Sequence, residues 1–348
     1  MRDCMPRLVG NIALRERLGE EIASGVFSHA YILLGPRGCG KHTLAQSIAM
    51  ALACEHRTDG AFPLPCGKCA ACRKIAEGNC PDILTVGREQ DKTTMGVDVI
   101  RSLREEVSVL PNDLDVKIYI IEDAHTMTTQ AQNALLLTLE EPPAFVRFLL
   151  LCEDGNALLE TIRSRAPMLR MQPIAKEELR AHLLSPDRPA IARKAKELIE
   201  HSPEDFEALL CMADGRIGRA LELLEEKKRT PLLAHRADAA RLCRLLADGT
   251  KGGELLELLL GFGKSREDVN VHLLAVQQAL RDLVLLGRSD TAPLLFFTNR
   301  DDAIDLSAKF TAATLLQYVA ATDDALDALA ANANVRLAIT QYLCRLTA

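Results

Sequence analysis

The segment GPRGCGK places Gly35, Gly40 and Lys41 at the spacing of a phosphate-binding loop. The backbone of such a loop, opening onto a helix, can cradle phosphate, and Lys41 can supply charge. The next position normally gives a hydroxyl to magnesium, and here it is His42, with Thr43 one place later. Magnesium is a hard cation that prefers oxygen, and imidazole is a larger, softer ligand. Thr43 faces elsewhere, because consecutive helix residues point about 100° apart. Gly35, Gly40, Lys41, His42 and Thr43 therefore predict a degenerate nucleotide site that does not hold ATP and magnesium in the ordinary way.

A second chemical feature is the strand-like run VKIYIIED (116–123), nearly all apolar, which ends in the acids Glu122 and Asp123. A third is CGKCAAC, which sets Cys66, Cys69 and Cys72 in two successive C-x-x-C steps, with Cys54 upstream. Four thiolates make a full tetrahedral shell for zinc and leave no open position, so the expected zinc is structural. Cys80 is the substitute fourth ligand, ranked below Cys54, and a redox pair is the alternative chemistry. The other cysteines read as core or incidental residues.

The elements that would position these groups follow from periodicity. HAYILLG (29–35), DILTV (82–86), VKIYIIED (116–123), FVRFLLLC (145–152) and MLRMQPI (168–174) read as strands. VDVIRSLREEVSVL (97–110) and TTQAQNALLLTLEE (128–141) read as helices stopped by prolines. Strands alternating with helices predict an α/β layer with parallel strands, whose ligands sit at the strands' carboxyl ends. The loop and the acid pair both fall there. Beyond Pro173 the strand signals stop. KEELRAHLL, RPAIARKAKELIEH, PEDFEALLCMA and RIGRALELLEEKKR read as short helices of a small domain at 174–229. Longer helices from Thr230 onward predict an all-helical packing domain at 230–348.

At 348 residues the chain is long enough for two or three domains. With 48% apolar and 26% charged residues it reads as globular throughout. A net charge of -6 and a pI near 5.8 argue against a free-standing DNA-binding protein. No apolar run reaches membrane-spanning length, and the start, MRDCMPRLVGN, lacks the apolar core of a signal peptide. A cytoplasmic location is expected, where disulfides are rare.

HAYILLGPRGCGK, the CGKCAAC insertion, NALLLTLEEPP (133–143) and TIRSRA (161–166) together resemble the bacterial clamp-loader subunits of DNA polymerase III, the gamma/tau ATPase and its relative delta prime. NANVRLAITQYLCRL resembles their closing helix. The resemblance implies a RecA-like AAA+ domain with a zinc module at 1–173, a helical lid at 174–229 and a helical collar at 230–348. It also implies a pentamer that loads the ring-shaped sliding clamp onto primed DNA.

Four positions bear on which subunit is resembled. His42 replaces the hydroxyl residue. Glu122-Asp123 reverses the Asp-Glu order in which the first carboxylate serves magnesium and the second activates water. The lid arginine that touches phosphates falls on Gly218, between Arg216 and Arg219. The Ser-Arg-Cys motif becomes Ser164-Arg165-Ala166, which keeps the arginine that reaches a neighbour's ATP. An altered own site with a retained Arg165 is the delta prime pattern, and TMGVDVIR (94–101) also resembles that branch. The implied partners are gamma/tau and delta subunits, with the clamp and primed DNA met through the complex. The alternatives are an active gamma/tau-type ATPase in which Thr43 or water replaces the missing ligand, a subunit that binds nucleotide without hydrolysing it, and a zinc-dependent DNA-binding protein with a vestigial AAA+ core.

Overall fold

The computed structural model describes residues 3–89, 92–250 and 252–347. Residue contacts divide the chain into two units, Met1–Leu179 with Arg216–Arg219, and Arg180–Gly215 with Ala220–Ala348.

The first unit is built on β1 (Ala30–Leu34), β2 (Ile83–Val86), β3 (Lys117–Ile121), β4 (Val146–Cys152) and β5 (Met168–Arg170). They form one parallel sheet in the order β2-β3-β4-β1-β5. Within it lie α1 (Ile12–Ser24), α2 (Lys41–Leu52), α3 (Ala70–Ala76), α4 (Val97–Glu106), α5 (Thr129–Glu140) and α6 (Glu160–Arg163). Every residue of β1 and β3 is buried, which explains why these strands read as apolar runs broken only by Lys117. Alternate residues serve opposite faces. Tyr31, Leu33, Ile118 and Ile120 join a core with α1, α2 and the cysteine insertion. Ile32, Leu34, Tyr119 and Ile121 join another with α4 and α5.

From β1 the chain crosses to the far edge at β2, returns through β3 and β4, and places β5 on the other side of β1. The direction of winding therefore changes at β1, and in sheets of this kind ligands sit beyond the strands' carboxyl ends at such a point. Five strands lie where the sequence predicts them. Helix α4 is shorter than its pattern, ending at Glu106 rather than at residue 110. The buried Lys117 ammonium donates to the carbonyls of Glu106 (2.9 Å) and Val109 (3.4 Å), closing the chain in a turn there. Buried Asp82, just before β2, accepts from the N–H groups of Asn112, Asp113 and Leu114 at 2.7–2.9 Å and fixes the following loop.

The remaining helices are α7 (Lys176–Leu183), α8 (Pro189–His201), α9 (Pro203–Ala213), α10 (Ile217–Leu223), α11 (Glu226–Ala247), α12 (Gly253–Gly261), α13 (Arg266–Leu286), α14 (Arg300–Ala308), α15 (Ala312–Ala330) and α16 (Val335–Thr347). RIGRALELLEEKKR, which reads as one helix, is two: α10 ends at Leu223 and α11 begins at Glu226. In the second unit α11, α12, α13, α15 and α16 share one apolar core. Its loop at 295–297 is held by fully buried Asp282, whose carboxylate accepts from the N–H groups of Leu295, Phe296 and Phe297.

Candidate functional site

The loop leaves β1 at Gly35 and enters α2 at Lys41. Gly38 and Gly40 have φ of +82° and +101°, a conformation that side chains rarely adopt. Gly40 caps α2 without a side-chain hydrogen bond, leaving the helix N-terminus the anion-facing end of the loop. The phosphate-loop shape is thus present.

Its charged groups are engaged with one another. The Lys41 ammonium donates to the carbonyls of Gly35 (2.6 Å) and Pro36 (3.1 Å) and lies 3.9 Å from Glu153. His42 Nδ1 is 3.0 Å from Glu122 Oε1, joining the loop to the end of β3. Asp123, in a left-handed conformation with φ of 48°, faces Arg88 at 3.4 Å. Both pairs are substantially exposed, so each is weak and open to competition by an incoming ligand. The geometry places an imidazole, not a hydroxyl, beside the first acid. Thr43, half-buried, follows one position along α2.

Gly218 has a physical reason to be glycine. Its N–H donates to the Gly38 carbonyl at 2.8 Å. A Cβ on Gly218 would stand 2.8 Å from Gly38 Cα, and one on Gly38 would stand 2.9 Å from the Arg219 nitrogen. Backbone meets backbone here, so no side chain fits at 218 unless the loop moves. Gly218→Ala is expected to lower stability by about 1–3 kcal/mol, the range for strain at a close approach. Urea unfolding checks this, and an unchanged midpoint would show that the loop yields freely.

Arg165 lies on the far side of the sheet from this loop in the topological sense. It enters β5, whereas Gly35 leaves β1, and the two strands are parallel. Its guanidinium pairs with Glu140 at 2.8 Å and donates to the Thr161 carbonyl (3.0 Å) and Ser164 hydroxyl (3.4 Å). Glu140 ends α5, just before the chain turns into β4, which also marks the amino-terminal edge of the sheet.

The four cysteines come together. Cys54 follows α2, Cys66 precedes a turn at Gly67, Cys69 caps α3 and Cys72 lies within it. All four are buried, and their sulfurs lie within 4.8 Å of one another. A tetrahedral ion with Zn–S bonds of about 2.3 Å needs sulfurs about 3.8 Å apart, and Cys66 and Cys72 are at 4.0 Å. The N–H groups of Lys68 and Cys69 point at Cys66 Sγ, at 3.5 and 3.4 Å, and that of Cys72 points at Cys69 Sγ. Burial opposes a thiolate at Cys66, but these N–H donors and the neighbouring thiols outweigh it and bring its pKa down to about 6. Burial pushes the Cys54 and Cys72 thiols up. The donor set is compatible with structural zinc, whose binding would release the remaining protons. Cys80 is buried outside this group of four.

Sequence reasoning did not find Arg88, Glu153, Glu140 or the contact of Gly38 with Gly218. Arg88 and Glu153 carry no motif of their own, and Glu140 lies within NALLLTLEEPP, which assigns it no role; folding alone brings all three to their partners.

Residues 10–175 match the family model described as DNA polymerase III, delta subunit. The tau subunit of Bacillus subtilis is 32% identical over 223 residues, covering 63% of this chain and 37% of that protein. Escherichia coli tau is 32% identical over 222 residues, covering 63% and 32%. Over this region the chain is similar to DNA polymerase III subunits. A gamma subunit from Buchnera aphidicola of Schizaphis graminum is 30% identical over 224 residues, covering 63% and 57%. The chain thus spans about a third to just over half of the curated relatives it matches. Among solved structures, a DNA polymerase III gamma subunit-related protein of Thermotoga maritima aligns over 95% of this chain and 98% of its own, with 17% identity and a TM-score of 0.46.

Proposed function

We propose that the chain is the delta prime-type subunit of a DNA polymerase III clamp loader, with weak or absent ATPase of its own, lending Arg165 to a neighbouring ATPase. The observation that carries this reading is the contact of His42 with Glu122 at 3.0 Å. An imidazole occupies the position of magnesium's hydroxyl ligand and engages the first of the two acids that hydrolysis requires. Misplacing a catalytic group by about 1 Å costs on the order of a hundredfold in rate. Here the metal ligand and the order of the acids are both changed. Arg165, at the entry to β5, is suited to a partner's site rather than its own.

In this reading, Glu122 and Asp123 are the altered acid pair, and Gly35, Gly40, Lys41, His42 and Thr43 are a loop kept for shape. Cys54, Cys66, Cys69 and Cys72 hold a structural zinc. The first 173 residues are an AAA+ domain, 174–229 a lid and 230–348 a collar. Gamma/tau and delta subunits are the partners, and the sliding clamp and primed DNA are met through the complex.

The test is ATP hydrolysis by the purified chain with magnesium. Turnover is expected at background and unaffected by Lys41→Ala. Robust turnover lost in that variant would favour a gamma/tau-type ATPase, a reading to which the retained Lys41 and the tau and gamma relatives lend weight.

A further inference from the structure

The Arg165 guanidinium is shared between two kinds of partner. One nitrogen, Nη1, stays within its own segment, on the Thr161 carbonyl and the Ser164 hydroxyl. The other, Nη2, reaches a different element and pairs with Glu140 at 2.8 Å. We infer that Glu140 is a positioning residue that parks Arg165, so that the arginine exchanges this carboxylate for a phosphate when a neighbour's nucleotide arrives. The inference rests on the proposed role of Arg165 in a neighbouring ATPase.

Three features support an exchange rather than a fixed structural pair. Carboxylate and phosphate compete for the same planar fork of N–H donors, and an arginine cannot serve both fully. The side chains of Arg165 and Glu140 are 37% and 47% exposed, so water and an incoming anion can reach them. A buried pair would resist opening, whereas an exposed one changes populations by only roughly two- to fivefold. Such a contact keeps the arginine ordered and releases it readily. Glu141 follows directly, and the two carboxylates together oppose a phosphate until the arginine has turned toward it.

The experiment uses the full chain in a clamp-loader complex reconstituted with a gamma/tau-type ATPase subunit. ATP turnover is measured while Glu140→Gln, Arg165→Ala or the unaltered chain is titrated in. Glu140→Gln is expected to reach half-maximal stimulation at a concentration roughly two- to fivefold lower at low salt, with the difference closing at about 0.5 M salt. Glu140→Asp, which keeps the charge, should stay near the unaltered chain. In the isolated protein, NMR should show faster exchange of the Arg165 side-chain N–H groups in Glu140→Gln, a readout independent of turnover. Equal or weaker stimulation by Glu140→Gln, with Arg165→Ala inactive, overturns the parking role alone. Stimulation unchanged in Arg165→Ala overturns the reading on which it rests.

Discussion

Replacing Arg165 with alanine is expected to leave the purified chain folded and able to join a reconstituted complex, while turnover at the neighbouring ATP site falls by about a thousandfold or more. The total ATPase of the complex then drops by the share that this site contributes. The size of the effect follows from the chemistry. Charge spreads over the transferring phosphoryl oxygens in the transition state, and a planar, permanently charged fork offsets it where water is excluded. Arg165→Lys should rescue little, because an ammonium offers a point charge and no fork. Stability should hardly change, since the pair with Glu140 is exposed and such pairs contribute at most about 1 kcal/mol. Turnover assays on complexes of verified composition, with circular dichroism of the free subunit, separate the two effects. An unchanged rate in Arg165→Ala would remove the central claim.

The second large effect concerns the cysteines. The purified chain is expected to carry one zinc, measurable by elemental analysis. Cys72→Ser should abolish it, because that residue is fully buried among the other three sulfurs. Loss of the ion should cost at least about 3 kcal/mol, a fraction of the 10–16 kcal/mol that structural zinc contributes in isolated fingers. The penalty should spread beyond the insertion, since the same cysteines belong to the core shared by α1, α2 and one face of the sheet. Cys80→Ser, by contrast, should retain the metal. Stoichiometric zinc in Cys72→Ser, or a melting curve indifferent to a strong chelator, would count against the site. Acid should release the ion as well, because every ligand must shed a proton to bind it.

Much of the sheet unit was legible in the chain because its signals are local. An apolar run such as IYII can be little other than a strand buried on both faces, and the prolines after Glu141 stop α5. The cysteine spacing likewise survives translation into space, since C-x-x-C fixes two sulfurs around one turn. Less legible were features made by distant segments. Nothing near Lys117 announces that its ammonium will close the end of α4, ten or so positions earlier. Helix α14 announced itself only weakly: Asn299 caps it by accepting from Asp301 and Asp302, yet the helix has nine residues and a modest apolar face. At the site, residues with a motif were visible and their partners were not. Glu140 reads as an ordinary surface acid until the fold sets it against Arg165. The identity of Gly218 looked like a missing arginine, and its reason lies in a backbone contact 180 positions away in sequence.

That contact also limits which substitutions can act together. Placing a hydroxyl at position 42 takes one substitution, but an arginine at 218 collides with Gly38 before it can reach any phosphate. Each change is of little use without the other, and the second first requires the loop to shift. The two positions are therefore locked together by geometry: a hydroxyl at 42 changes one group, while 218 stays without a side chain as long as Gly38 keeps its place.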